Sequence, residues 1–217
     1  MNQEPSSSAD LGGSISRGVR SSECFRMRIL SRMLFGFLSS ALVLIVVWIL
    51  LYGAARVPVH WDEGWNLCIA RNWYEVNHYG CKLRGAFTTA RLSTGWLPVY
   101  LTLVGFRWFG ESFVSGRIVF GILCLMYLAS IFFFSLVVFR NRWTALFATV
   151  IAAFLSPDTR LNPLLLAGQS YAEVASMAAL AFGALSLHFV VQNESSLFVR
   201  IICVGLTGLF FRFAVDA

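Results

Sequence analysis

Two adjacent carboxylates, Asp62 and Glu63, stand just beyond an uncharged apolar stretch and begin a segment dense in tryptophan and tyrosine. A carboxylate at the outer interface is placed to reach a membrane-bound substrate. Neighbouring positions on a helix do not share a face, so the pair predicts divided roles. One side chain points into a cleft, while the other caps a helix start, where negative charge is favoured; capping alone is the commoner role of such a pair. Glu173 is the second unusual carboxylate. It stands near the start of another apolar run, and ionisable groups at membrane depth are functional candidates. Arg71, Lys82, Arg84 and Arg91 share the segment with Asp62, on the side where basic residues are disfavoured, and charges kept against that preference invite a functional reading. His188 reads as an interfacial histidine with its needs met. No His or Cys spacing suits zinc, so no metal site is expected, although a divalent cation bound with substrate is left open.

The elements that carry these residues follow from composition. Of 217 residues, 58% are hydrophobic and 13% charged, against roughly 45–50% and ~25% in soluble domains. That balance marks a membrane protein. The formal charge of +6 resides in arginine clusters between apolar runs, the pattern that orients membrane proteins; with no basic stripe on a soluble fold, nucleic-acid binding is excluded. Residues 1–29 read as a disordered cytoplasmic tail. Arg20, Arg26, Arg28 and Arg32 then lead into Met33–Tyr52, long enough for a hydrocarbon core of about 30 Å. A cleaved signal peptide is the rival reading, but its apolar region would be shorter, about 7–15 residues. Further runs cover Ile118–Phe139, Thr144–Leu155, Ala172–Val191 and Phe198–Phe211. The fold expected over residues 30–217 is therefore an all-α integral membrane protein of about five transmembrane helices. The N-terminus lies in the cytoplasm, the membrane is the plasma (inner) membrane, and residues 56–112 form an external loop.

Within that loop, His60–Gly80 and Leu97–Phe109 predict two juxtamembrane surface helices, with Pro98 suited to a helix start. Cys68 and Cys81 lie in the same loop; a disulfide between them and a pair of free thiols both remain open. Cys124 and Cys203 lie inside apolar runs, where a buried small hydrophobe is the default.

The order of short motifs along the chain resembles that of polyprenyl-phosphate-sugar glycosyltransferases of the GT-C fold, in the bacterial branch similar to dolichyl-phosphate-mannose protein mannosyltransferases. The residues that carry the resemblance are Asp62-Glu63, Ile69-Ala70-Arg71-Asn72, Tyr79-Gly80, Ser93-Thr94-Gly95 with Pro98, Phe109-Gly110 and Arg117. No one of these is specific; their succession over roughly residues 30–215 is. The resemblance implies an inverting transfer of a sugar from a polyprenyl-phosphate donor to an acceptor hydroxyl at the outer face. Asp62 would be the general base, with Glu63 beside it, and Glu173 would position acceptor or sugar. Arg71, Lys82, Arg84 and Arg91 would neutralise the departing phosphate. The lipid-linked sugar is a substrate, so no cofactor is implied; the partners are membrane lipid and that donor, and the oligomeric state stays open. Family members are usually at least twice this length, which implies that the chain corresponds to their N-terminal portion and lacks donor-binding parts. The competing expectation is a non-catalytic multi-span membrane protein. A transporter is disfavoured, because internal repeats and broken helices are not found in the sequence.

Overall fold

The computed structural model describes residues 11–59, 61–83, 85–89, 96–155, 162–167 and 172–192, and residues 202, 205, 207, 208 and 212. The chain divides into two units, Met1–Val43 and Leu44–Ala217. The described residues of the first, 11–43, belong to helix α1 (Leu11–Arg56). Helix therefore starts at Leu11, inside the stretch expected to be a disordered tail through residue 29. Once an apolar segment has nucleated a helix, each added residue gains a hydrogen bond at little further cost, and no proline follows Pro5 in this stretch.

In the second unit, α2 (Trp61–Val76) is followed by a hairpin of β1 (Gly80–Leu83) and β2 (Ala86–Thr89). The hairpin is antiparallel, with Gly80 opposite Thr89 and Leu83 opposite Ala86. Its two-residue turn includes Gly85 at φ +86°, where a residue without Cβ carries no penalty. This hairpin corrects the all-α expectation: the described residues are mostly helical, with one small sheet. Next come α3 (Leu97–Phe109), α4 (Phe113–Phe139), α5 (Arg142–Phe154), a short α6 (Pro163–Ala167) and α7 (Ala172–Gln192). Both expected surface-helix segments are helical, as α2 and α3.

Among the described residues two helices are long and apolar enough to cross a membrane, Arg26–Arg56 and Phe113–Phe139. The apolar helices Arg142–Phe154 and Glu173–His188 are shorter. Most of the expected last span, Phe198–Phe211, lies outside the described residues. Local chemistry sets the joints between helices. Ser112 caps α4, its hydroxyl accepting from the Ser115 N–H at 3.0 Å. The far end of α4 closes at Arg140 in the left-handed region, φ 52°, with its N–H donating to the Leu136 carbonyl. Asn141 then caps α5, accepting from the Trp143 N–H at 2.9 Å. These two residues make the tight helical hairpin expected between the second and third apolar runs.

Helix α4 is the centre of the second unit, packing against α3, α5, α6 and α7, while α2 packs on α3 and on β1. Where α3 crosses α4 the backbones nearly touch. A Cβ at Gly105 would collide with the Ser115 carbonyl group, its carbon 2.9 Å away, and one at Gly116 would meet the Thr102 methyl at 3.0 Å. Small residues that admit close backbone approach characterise helix contacts within membranes. Gly105→Ala should therefore destabilise the protein by about 1–3 kcal/mol through overpacking. Gly36→Ala, with nothing within 4 Å of its Cβ position, should be neutral or slightly stabilising because alanine favours helix. Thermal unfolding of the detergent-solubilised variants distinguishes the two.

Candidate functional site

The end of α1, the start of α2 and the start of α4 meet at one buried ion pair. The Arg117 Nε donates to Glu63 Oε1 at 2.6 Å and its Nη2 to Glu63 Oε2 at 2.6 Å, and both side chains are 0% exposed. A guanidinium carries five N–H donors, and the remaining three also find acceptors. Nη1 donates to the carbonyls of Ala54 at 3.2 Å and Val57 at 2.7 Å, and Nη2 to that of Pro58 at 3.3 Å. The last carbonyls of a helix have no partner within it, and here one arginine from another helix serves carbonyls at and just past the end of α1. The Phe113 ring lies beneath the guanidinium, 5.3 Å from centroid to Cζ.

This arrangement settles how Glu63 is used. Both of its carboxylate oxygens are engaged in a fork-to-fork pair, a strong charge-assisted geometry, and it lies away from solvent. Glu63 thus holds α2 in place. Asp62 lies in the first turn of α2, one residue before this anchor. Arg117 was not among the residues picked out for chemistry. The sequence signal was there, though: a lone arginine heading a long uncharged run must find a buried counter-charge or reach the surface.

A second set of contacts stiffens α2. Cys68 on α2 and Cys81 on β1 form a disulfide, with Cα atoms 5.6 Å apart. Asn72 donates from Nδ2 to the Gly80 carbonyl at 2.8 Å, and the chain reverses between them through Asn77 at φ 53°. Beneath lies a cluster of Ile69, Ala70, Cys81, Val99 and Phe106, with Trp65, Trp73 and Tyr79 packed against it. Trp73 meets Tyr79 edge-on at 5.2 Å, and burial pushes the Tyr79 phenol above its ordinary pKa.

The other expected site residues are dispersed among different elements. Arg71 is exposed on α2, its Nε 3.0 Å from Glu75 and 2.8 Å from Glu111 at the α3–α4 turn. The hydrogen bond to Glu75 and the nearby Glu111 charge hold the guanidinium firmly protonated. Lys82 is exposed on β1 and Glu173 is exposed in the first turn of α7. Arg84 and Arg91 lie outside the described residues. Among the described residues no cluster of three or more His, Cys, Asp or Glu side chains could hold a metal ion.

Beside this assembly a cavity of about 530 Å³ opens between α3, α4 and α7. Trp96 and Tyr100 stand on its α3 wall, Leu123 and Met126 on α4, and Ala178 and Phe182 on α7. Helix α3 thus packs against α2 and also walls the cavity.

Removing one partner of a buried ion pair leaves an uncompensated charge, at a cost of about 3–5 kcal/mol. Arg117→Ala should be the more damaging change, because it also strips the carbonyls of Ala54, Val57 and Pro58 of a donor. Glu63→Gln should be milder, and Arg71→Gln should change stability by less than about 1 kcal/mol, as for exposed pairs. Unfolding midpoints of the three variants in one detergent check that order. Cys68→Ser should cost about 3 kcal/mol, as expected for a loop of this length, and in the unaltered protein both thiols should resist alkylation until a reductant is added, as intact mass will read. Comparison with protein-family models, curated proteins and solved structures finds no match to this chain.

Proposed function

We propose that the chain belongs to a multi-pass membrane glycosyltransferase of the GT-C type, with residues 56–112 at the outer face. It transfers a sugar from a polyprenyl-phosphate donor to an acceptor hydroxyl. The observation that carries this reading is the shared role of α3. That helix packs on α2, whose first turn bears Asp62, and it walls an apolar cavity suited to the hydrocarbon tail of a lipid-linked donor. An Asp62 carboxylate removes the acceptor proton, the freed oxygen attacks the anomeric carbon, and the polyprenyl phosphate leaves with the electron pair of the broken bond. The phosphate leaves without protonation, so a base and compensating positive charge suffice. Lys82, Arg84 and Arg91 are the cations proposed for that second task. Arg71 is a weaker candidate, since Glu75 and Glu111 already flank it. Glu173 is proposed to orient acceptor or sugar.

One observation favours a non-catalytic membrane protein instead: of the residues expected at the site, Glu63 is buried in an ion pair that holds the fold and Arg71 is flanked by two carboxylates. Sugar transfer from a radiolabelled polyprenyl-phosphate sugar separates the readings. Asp62→Asn should lower transfer by about 10²–10⁴-fold, the span of general-base catalysis, with expression and unfolding midpoint unchanged. Undiminished transfer would remove Asp62 as the base. Absence of turnover in the unaltered protein, both alone and when supplied with the donor-binding part of a family enzyme, would favour the non-catalytic reading.

A further inference from the structure

The segment of α1 that precedes its apolar run carries Arg26, Arg28 and Arg32, all exposed. From Arg26 to Arg56 the helix contains no acidic residue, and among the residues whose side chains are described no carboxylate is paired with these three arginines; Glu23, three residues before Arg26, lies outside them. At 100° per residue, Arg28 and Arg32 lie about 40° apart around the helix, whereas Arg26 lies about 160° from Arg28. The charges therefore form a collar around the helix. The residues between them are apolar and equally open: Met27 is 69% exposed, Leu30 67% and Met33 68%.

That mixture discriminates among partners. A protein partner reads one face of a helix and leaves the others polar, and a water-exposed helix would not present methionine and leucine on the same turns as its arginines. Cations and apolar side chains interleaved all round suit the boundary between acyl chains and headgroups, where long basic side chains bury their stems and raise their charges to the phosphate level. Basic clusters directly beside a membrane-crossing helix attract anionic lipid. The guanidinium adds specificity, since its planar fork matches phosphate oxygens in two-point contact.

We infer that the Arg26–Arg28–Arg32 collar is a binding site for the phosphate headgroups of anionic phospholipids around the first membrane-crossing helix. The inference requires α1 to cross the bilayer and is independent of any glycosyltransferase activity. The test reconstitutes the full chain in nanodiscs of equal phosphatidylcholine and phosphatidylglycerol, then counts by native mass spectrometry the lipids retained after gentle detergent transfer. Phosphatidylglycerol should be enriched several-fold over phosphatidylcholine. The enrichment should fall at high ionic strength, where exposed charges are screened, and millimolar inorganic phosphate at constant ionic strength should leave it intact. The combined variant Arg26→Gln/Arg28→Gln/Arg32→Gln should lose the enrichment, and the matching lysine variant should keep part of it. Equal retention of the two lipids by the unaltered protein would overturn the inference, as would undiminished enrichment in the glutamine variant or displacement by free phosphate. Salt dependence needs no substitution, so a glutamine variant that inserts poorly leaves the inference testable.

Discussion

Five hydrogen bonds from one guanidinium tie the first helix, the second helix and the long central helix together. A guanidinium or a carboxylate held alone in a low-dielectric interior is costly, and here each is matched by the other. Each therefore fixes the other's position, and the carbonyls of Ala54, Val57 and Pro58 take up what remains of the donor capacity. Buried ion pairs add little net stability compared with well-packed apolar residues. What this pair contributes is geometry. It sets where α1 stops, where α2 begins and how the head of α4 meets both.

The rest of the segment between α1 and α4 depends on that joint. With its N-terminal turn held by Arg117, α2 is secured farther along by the Cys68–Cys81 disulfide and the Asn72 hydrogen bond to Gly80. Helix α3 is drawn against α4 where Gly105 and Gly116 leave no room for a larger side chain. Several positions that carry the family resemblance do structural work here. Ile69 and Ala70 are core, Asn72 anchors the hairpin, Gly110 ends α3 at φ 85°, and Arg117 is the clamp. Such positions hold a scaffold to its shape, whatever chemistry the scaffold serves.

Much of this was legible from local patterns. A segment dense in tryptophan and tyrosine indicated α2, Pro98 indicated the start of α3, and uncharged runs bounded by arginine indicated the two membrane-length helices, because each signal acts over a few residues of backbone. The hairpin was missed: its strands are four residues each, too short for alternation to register against a tryptophan-rich background. The start of α1 was missed because serine and glycine lower helix propensity, while continuity with an apolar helix outweighs it. Cys68 and Cys81 were visible as a pair in one loop, but spacing says nothing about whether two Cβ vectors converge.

Composition and charge placement alone determined that this is an apolar, mostly helical chain with an arginine-flanked first helix and a loop rich in charge and aromatic side chains. Those properties are sums and short-range patterns, and they survive without knowing which helix touches which. Only the tertiary structure decided that Glu63 is spent on Arg117, 54 residues away, that Arg71 faces Glu111 across a turn, and that α3 walls an apolar cavity. Partnership between distant side chains depends on how helices cross. Crossing is set by close contacts such as Gly105 against Ser115, whose meaning appears only once both backbones are in place. The Asp62-Glu63 pair is the clearest case: the residues suggested two roles, and the fold assigned the structural one to Glu63.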